Sequence, residues 1–499
     1  MTDMTQGPRL RKELSIWAAI GISLALMAPS MAANINPQGA AGTVGRAVPL
    51  AFVLATIGVL LVAYTFVRLC QQFHHAGSVY GFVGAILGPR AGVVSGWSLI
   101  GTYGFYVLVT GMAAGIFFAS FLGEVGIWHN PPDWSGFLFG AIAIVGAWYL
   151  AISPAKRATA VLLAVEGSTV ALILVVSFTI LVRLLNHSAP THTHFTWSVF
   201  SVPHGTSASV IALGAVFGFL SFAGFEAAST LGEESKNPHK DIPRAILGVA
   251  IFGGVYFVFV TAVEMMGFGT SAKGVQAFIS SGTLLGDLGS KFIAGWIGDI
   301  ITLGTSVSAF GCVLACTVGA SRILYALSRD GVGPKALAGV SAKRGTPVPA
   351  TTAVTIGSFV MVVLFATIWK AKPFDEFVWS GVIGTLILLV VYVLATVGAI
   401  RVLFFSGRKV VRTWEIIIPI LALVVLGYTI YRNVYPYPTG PSAKLPVFFI
   451  VWIVIGVVYI LLRPNVAKRA GELLASEEGL SLSAAGARDA GTGPAVSGR

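Results

Sequence analysis

Stretches of 18 or more almost uncharged apolar residues recur along this chain of 499 residues, and nothing else in it limits the fold as strongly. Such stretches are the mark of membrane-spanning helices. Hydrocarbon offers no partners to peptide groups, so each stretch must satisfy its own backbone as a helix. A soluble reading fails on charge. Only 10% of the residues are charged, against about 25% in an ordinary soluble domain. The expected fold class is therefore an all-α polytopic membrane protein.

Twelve spans are predicted. The first six are Ile16–Ile35, Ala47–Val67, Val93–Leu122, Gly136–Ile152, Ala158–Leu181 and Ala208–Thr230. The other six are Ala245–Phe268, Ile300–Leu324, Ala353–Trp369, Phe377–Ile400, Ile416–Tyr431 and Val447–Leu462. With the N-terminus in the cytoplasm, only Arg46, Arg183, Lys273, Lys291, Lys370, Lys372, Arg432 and Lys444 of the 32 Lys and Arg residues fall outside. That bias follows the positive-inside rule and accounts for the net charge of +12 without invoking nucleic acid. The expected location is the plasma (inner) membrane, with both termini cytoplasmic. The apolar run after Arg9, Arg11 and Lys12 lacks a cleavage pattern and is taken as the first span. The domain expectation is a cytoplasmic N-terminus over 1–14, spans one to five over 15–185, spans six to ten over 205–405, two further spans over 411–463, and a cytoplasmic tail, poor in order, over 464–499.

Two spans carry breaks. Pro29 lies inside the first, where it removes a helical hydrogen bond and clashes with the preceding turn. The sixth reads Gly218-Phe219-Leu220-Ser221-Phe222-Ala223-Gly224-Phe225-Glu226. If the first ten spans form two five-helix repeats, these are matching positions, and paired interrupted helices point to a transporter site. Half-helix N-termini suit a carboxylate and half-helix C-termini an ammonium, so an amino acid zwitterion is accommodated. The plainer alternative is that proline and glycine only kink packed helices.

Three ordered motifs add to this reading. Phe222-Ala223-Gly224-Phe225-Glu226, Glu233-Glu234-Ser235-Lys236-Asn237-Pro238 and Asp241-Ile242-Pro243-Arg244-Ala245-Ile246 resemble the signature of the amino acid–polyamine–organocation (APC) permeases. Gly77-Ser78-Val79-Tyr80, Leu87-Gly88-Pro89, Gly92 and Gly96-Trp97 resemble that family's loop between spans two and three, and Ser321-Arg322-Ile323-Leu324-Tyr325-Ala326 with Arg329-Asp330-Gly331 resembles its span eight. The resemblance implies a LeuT-type 5+5 inverted repeat with two additional C-terminal helices. It implies that substrate is held through the backbone at Ala28, Pro29, Ser30 and Met31 and at Leu220, Ala223 and Gly224. Side chains near it would be Tyr103, Cys316 and Ser380. One departure stands out: the family's Gly-Ser-Gly or Gly-Thr-Gly stretch is Ala28-Pro29-Ser30 here. Proline donates no N–H, so the cradle for a carboxylate is altered and an amine without one becomes an alternative.

Ionisable groups within a membrane are costly and usually functional. Glu226 follows the second break and is the first choice for proton or substrate linkage. Glu166 in span five is the second, near where the resemblance implies a lysine in many relatives. Glu264 is placed near the outer end of its span, reaching interfacial water. His74 and His75 are read as a solvated loop pair, and the cluster Glu233, Glu234, Lys236, Lys240, Asp241 and Arg244 as an ion-pair network. Cys70, Cys312 and Cys316 are read as packing residues, and His187, His192, His194 and His204 as a solvated outer loop in which His192 and His194 are a weak metal candidate. No metal site and no cofactor is expected, and the coupling ion is expected to be H+. The expected function is secondary transport of amino acids, proton-coupled or by exchange, with amines such as ethanolamine or polyamines as the alternative. Expected partners are the small solute and the bilayer, in a monomer or homodimer. A membrane enzyme lacks support from any zinc-helix, Gly-x-Ser-x-Gly or phosphate-loop motif, and a channel from any repeated filter.

Overall fold

The computed structural model describes residues 15–72, 79–153, 156–203, 205–231, 235–341, 344–406, 411–466 and 469. The segment 1–14, most of the tail, Gly77, Ser78, His74, His75, His204, Glu233 and Glu234 lie outside the described residues. The rest forms α-helices and short 3-10 turns, with no β-strand among the described residues. In chain order the helices are α1 (Ile16–Met27), α2 (Pro29–Val44), α3 (Val48–Gln72), α4 (Val79–Leu87), α5 (Pro89–Glu124), α6 (Trp134–Ala151), α7 (Lys156–Leu185) and α8 (Ile211–Phe222). They continue as α9 (Pro238–Phe268), α10 (Ala272–Ile279), α11 (Leu284–Phe292), α12 (Gly295–Arg329), α13 (Val348–Ile368), α14 (Pro373–Phe405), α15 (Ile417–Val434) and α16 (Lys444–Leu462).

Ten stretches among the described residues are long and apolar enough to cross a membrane. The difference from twelve has a physical reason. The first and second expected spans run together over Ile16–Gln71, and Ala208–Phe222 is short because its helix stops at the second break. The sequence reading missed α4, α10 and α11, which it had left as loops. Helix α4 ends at Gly88, whose φ of 101° is open to glycine, and Pro89 starts α5 at once. The returning α5 packs so tightly that a Cβ on Gly92 would come 2.7 Å from Gly84 Cα.

Helix α5 is the spine, with α12 and α14 along it. Lipid is as apolar as leucine, so helices here associate through close packing rather than water exclusion. Gly111 and Gly115 on α5 face Gly136 and Gly140 on α6, each pair four residues apart. A Cβ at Gly115 would lie 2.0 Å from the Gly136 carbonyl oxygen, so only glycine permits this crossing. Helix α16 docks on α5 through Trp97 and Trp452, stacked at 4.7 Å, with Trp97 Nε1 donating to the Trp452 carbonyl at 2.8 Å. Near the start of α14 the Lys444 ammonium sits 3.2 Å from the Trp379 ring centre. At its foot, α3 grips the start of α15 through Arg68 Nη2 and Glu415 Oε2, 2.6 Å apart. The motifs after spans two and eight meet as well: Tyr80 donates to Asp330 Oδ2 at 3.2 Å, and Arg329 Nε to Oδ1 at 3.1 Å.

Candidate functional site at two broken helices

The first span breaks at Ala28, a non-glycine residue held left-handed at φ 43° and ψ 63°. Helix α1 ends there because residue 29 has no N–H to offer Ala25, and α2 begins with Pro29 in the first-turn position proline favours. The turn is densely tied. Ala28 N–H bonds the Leu24 carbonyl at 2.9 Å, and Ala32 N–H the Ala28 carbonyl at 2.9 Å. Ser30 N–H donates to Glu166 Oε1 at 2.9 Å, and Met31 N–H to Ser308 Oγ at 3.3 Å. The Leu26 carbonyl accepts from Cys312 Sγ at 3.0 Å, and the Pro29 carbonyl from Tyr256 Oη at 3.4 Å.

The sixth span breaks after Phe222. The Ala223 N–H turns to the Leu220 carbonyl at 3.2 Å, and the Phe225 N–H to that of Phe222 at 3.0 Å. Gly224 takes φ 103°, and a Cβ on it would come 2.7 Å from Leu26 Cβ. The two breaks therefore touch at Gly224 and Leu26, where only glycine fits. Beyond them the chain makes a short 3-10 turn, Ala227–Leu231. Glu226 is 3% exposed, and its Oε2 accepts from Tyr392 Oη of α14 at 3.0 Å.

The half-helices pair across spans. In one half, Asn36 Nδ2 of α2 donates to Ser221 Oγ of α8 at 2.7 Å. In the other, Ser23 Oγ of α1 donates to the Phe225 carbonyl at 3.2 Å and accepts from Ala228 N–H at 3.1 Å.

Most of the expected site residues come together here. Tyr103 flanks Gly319 of α12 and lies within electrostatic reach of Glu226 and Cys316. Cys316 Sγ is 3.9 Å from Cys312 Sγ, which places the thiol pair against the first break. Leu220 packs against Gly381 of α14, beside Ser380, whose buried hydroxyl has no hydrogen-bond partner. Glu166 is 7% exposed; its Oε2 and the Ser30 hydroxyl have none either.

Glu264 corrects the sequence reading. It is fully buried rather than reaching interfacial water, and neither oxygen has a hydrogen-bond partner. Its neighbours Val263, Met265 and Met266 are buried too, so that end of α9 is packed on every side. In the loop after α7, His187 and His194 lie near one another, with ring centres 6.4 Å apart. Of the expected ion-pair cluster, Lys236, Lys240, Asp241 and Arg244 are described; the ion pairs among the described residues are Arg68–Glu415, Arg329–Asp330 and Lys372–Asp133.

Sequence reasoning missed Ser308, Tyr256, Tyr392, Asn34 and the pairing residues Ser23, Asn36 and Ser221. One signal was readable. Thr305, Ser308, Cys312 and Cys316 recur at intervals of three and four, which is one face of α12. That face meets the first break: Asn34 Nδ2 reaches Thr305 Oγ1 at 3.4 Å, as Ser308 reaches Met31 and Cys312 reaches Leu26.

Two touching, interrupted spans at the centre of a helical bundle define a membrane permease of the LeuT-type architecture. A solved manganese transporter of Eremococcus coleocola, in complex with an aromatic bis-isothiourea substituted compound, has the same fold at TM-score 0.54 and 12% identity, over 94% of this chain and 99% of that one. The chain belongs to the amino acid permease family, whose model matches residues 14–459. Its relatives include the branched-chain amino acid permease BcaP of Bacillus subtilis, 28% identical over 83% of this chain and 85% of that protein. The low-affinity putrescine importer PlaP of Escherichia coli is 26% identical over 73% of this chain and 77% of that protein. This protein is a multi-pass membrane transporter, not an enzyme.

Proposed function

We propose that this permease moves a small solute bearing a protonated amino group, coupled to protons, by alternating access about the two breaks. Each of the repeats 15–185 and 205–405 contributes one break, with both termini in the cytoplasm. Solute sits at Ala28–Met31 and at Leu220, Ala223 and Gly224, flanked by Tyr103, Cys316 and Ser380. The relatives above include a carrier named for amino acids and one named for a diamine, and both kinds of solute carry that group.

One observation carries the coupling: Glu226 is buried beside the contact of the two breaks with a tyrosine hydroxyl for company and no cation. A carboxylate in that position is costly unless a positive charge neutralises it. A proton and a substrate ammonium are the two that fit, and binding either changes the cost of exposing the site to each side. Glu166 is a second such carboxyl, bonded directly to the first break. The test is uptake into proteoliposomes with and without an inward pH gradient. Gradient-stimulated uptake, reduced about tenfold or more in Glu226→Gln, is the expected result. Uptake that ignores the gradient, or is unchanged in the variant, defeats the coupling.

A further inference from the structure

We infer that Glu166 is a specificity-determining residue: its carboxyl group fills the place at the head of α2 where a substrate carboxylate would bind, so the site takes small primary amines with no carboxylate beside the amino group. This rests on the transport reading above and narrows its substrate class.

A helix N-terminus offers an anion the N–H groups of its first turn. Here each is accounted for. Pro29 has none, Ser30 donates to Glu166 Oε1, Met31 to Ser308 Oγ, and Ala32 to the Ala28 carbonyl. At the sixth break the Ala223 and Phe225 N–H groups are likewise spent, on the Leu220 and Phe222 carbonyls. The nearby Asn34 amide is also spent: Nδ2 on the Ser30 carbonyl at 2.9 Å, and Oδ1 accepting from Leu285 N–H at 2.8 Å.

What remains is electronegative. The Ala25 carbonyl faces a proline where a helix would supply an N–H, and Glu166 Oε2 is buried without a partner. Among the described residues, the buried charged side chains at the two breaks are acids, Glu166 and Glu226. A substrate carboxylate entering here displaces an internal acceptor and meets like charge, whereas an ammonium meets carboxylates and carbonyls. Glu166 Oε1 accepts from Ser30 whether or not the group carries a proton, so the exclusion survives proton transfer.

The test uses pairs that differ by one carboxylate: putrescine and ornithine, ethanolamine and serine, isoamylamine and leucine. Binding to the purified full-length protein is read from concentration-dependent thermal stabilisation. In at least one pair the amine binds about tenfold or more tightly, the scale of one charge-assisted hydrogen bond. Glu166→Ala, which frees the Ser30 N–H, reduces that preference about tenfold; Glu166→Gln, which keeps an acceptor there, retains it. If the alanine variant does not fold, the wild type and the glutamine variant still decide. Equal or tighter binding of the amino acid in every pair overturns the proposal, as does binding of neither member in any pair. Amine binding with uptake indifferent to the pH gradient removes the coupling reading alone and leaves this one standing.

Discussion

The two breaks reach the same end by opposite local means. The first keeps helix on both sides, with 12 residues in α1 and 16 in α2, and turns on a left-handed alanine followed by proline. Its donors and acceptors are satisfied largely from other spans: Glu166 on α7, Tyr256 on α9, and Ser308 and Cys312 on α12. The second turns on a glycine and bonds to its own neighbours, with outside contacts from Tyr392 on α14 and from Ser23 on α1. There glycine absorbs the strain of the turn itself. Where a side chain stays, four tertiary contacts hold the turn. A left-handed non-glycine residue costs roughly 1–2 kcal/mol, and those contacts are what offset it.

The sharpest way to break the comparison is Gly224→Val. It combines a φ of 103° with a side chain driven into Leu26. A loss of about 2–5 kcal/mol is expected, with transport abolished and the melting temperature in detergent clearly lowered. A variant that still transports would show that the breaks need not touch. Next come the ties between half-helices. Ser23→Ala strands the Ala228 N–H and costs about 1–3 kcal/mol, and Asn36→Leu removes one tie to a Ser221 hydroxyl that keeps its bond to the Phe217 carbonyl and costs about 0.5–1.5 kcal/mol, both by chemical denaturation. Cysteine accessibility from each side of the membrane should show the two variants loosening opposite halves; identical patterns would dissolve the distinction. Ala28→Gly is smaller and of opposite sign. Relief of the left-handed alanine stabilises by about 1 kcal/mol or less, read as a slightly higher melting temperature. A lower one would mean that the first break carries no strain.

The smallest effect is expected outside both breaks. Lys372 and Asp133 form a largely exposed pair at 2.9 Å. The Asp133 hydrogen bond holds the Lys372 pKa above the ordinary lysine value. Its contribution is therefore complete below that ordinary value and fades as pH climbs through the raised one. Lys372→Ala should leave the melting temperature near neutral pH unchanged within about 1 °C, since such pairs contribute little.

Proline and glycine announced the breaks because they act on the backbone at their own position, and a backbone fault can be read locally. The span cores were legible for a similar reason: hydropathy reports that a stretch leaves water. It does not report which way a residue faces, and that is why Glu264 was misplaced. The Glu166 bond to Ser30 joins residues 136 apart in sequence, so neither local pattern nor spacing could show it. The α5–α6 glycines were readable as two pairs four residues apart. They lay in stretches already counted as spans, where hydropathy gives glycine no weight.

Because Ser23 ties α1 to the chain beyond Gly224, and Asn36 ties α2 to α8, each half of the site is walled by its own pair of short rods drawn from two distant spans, so a movement of one pair leaves the ties of the other intact.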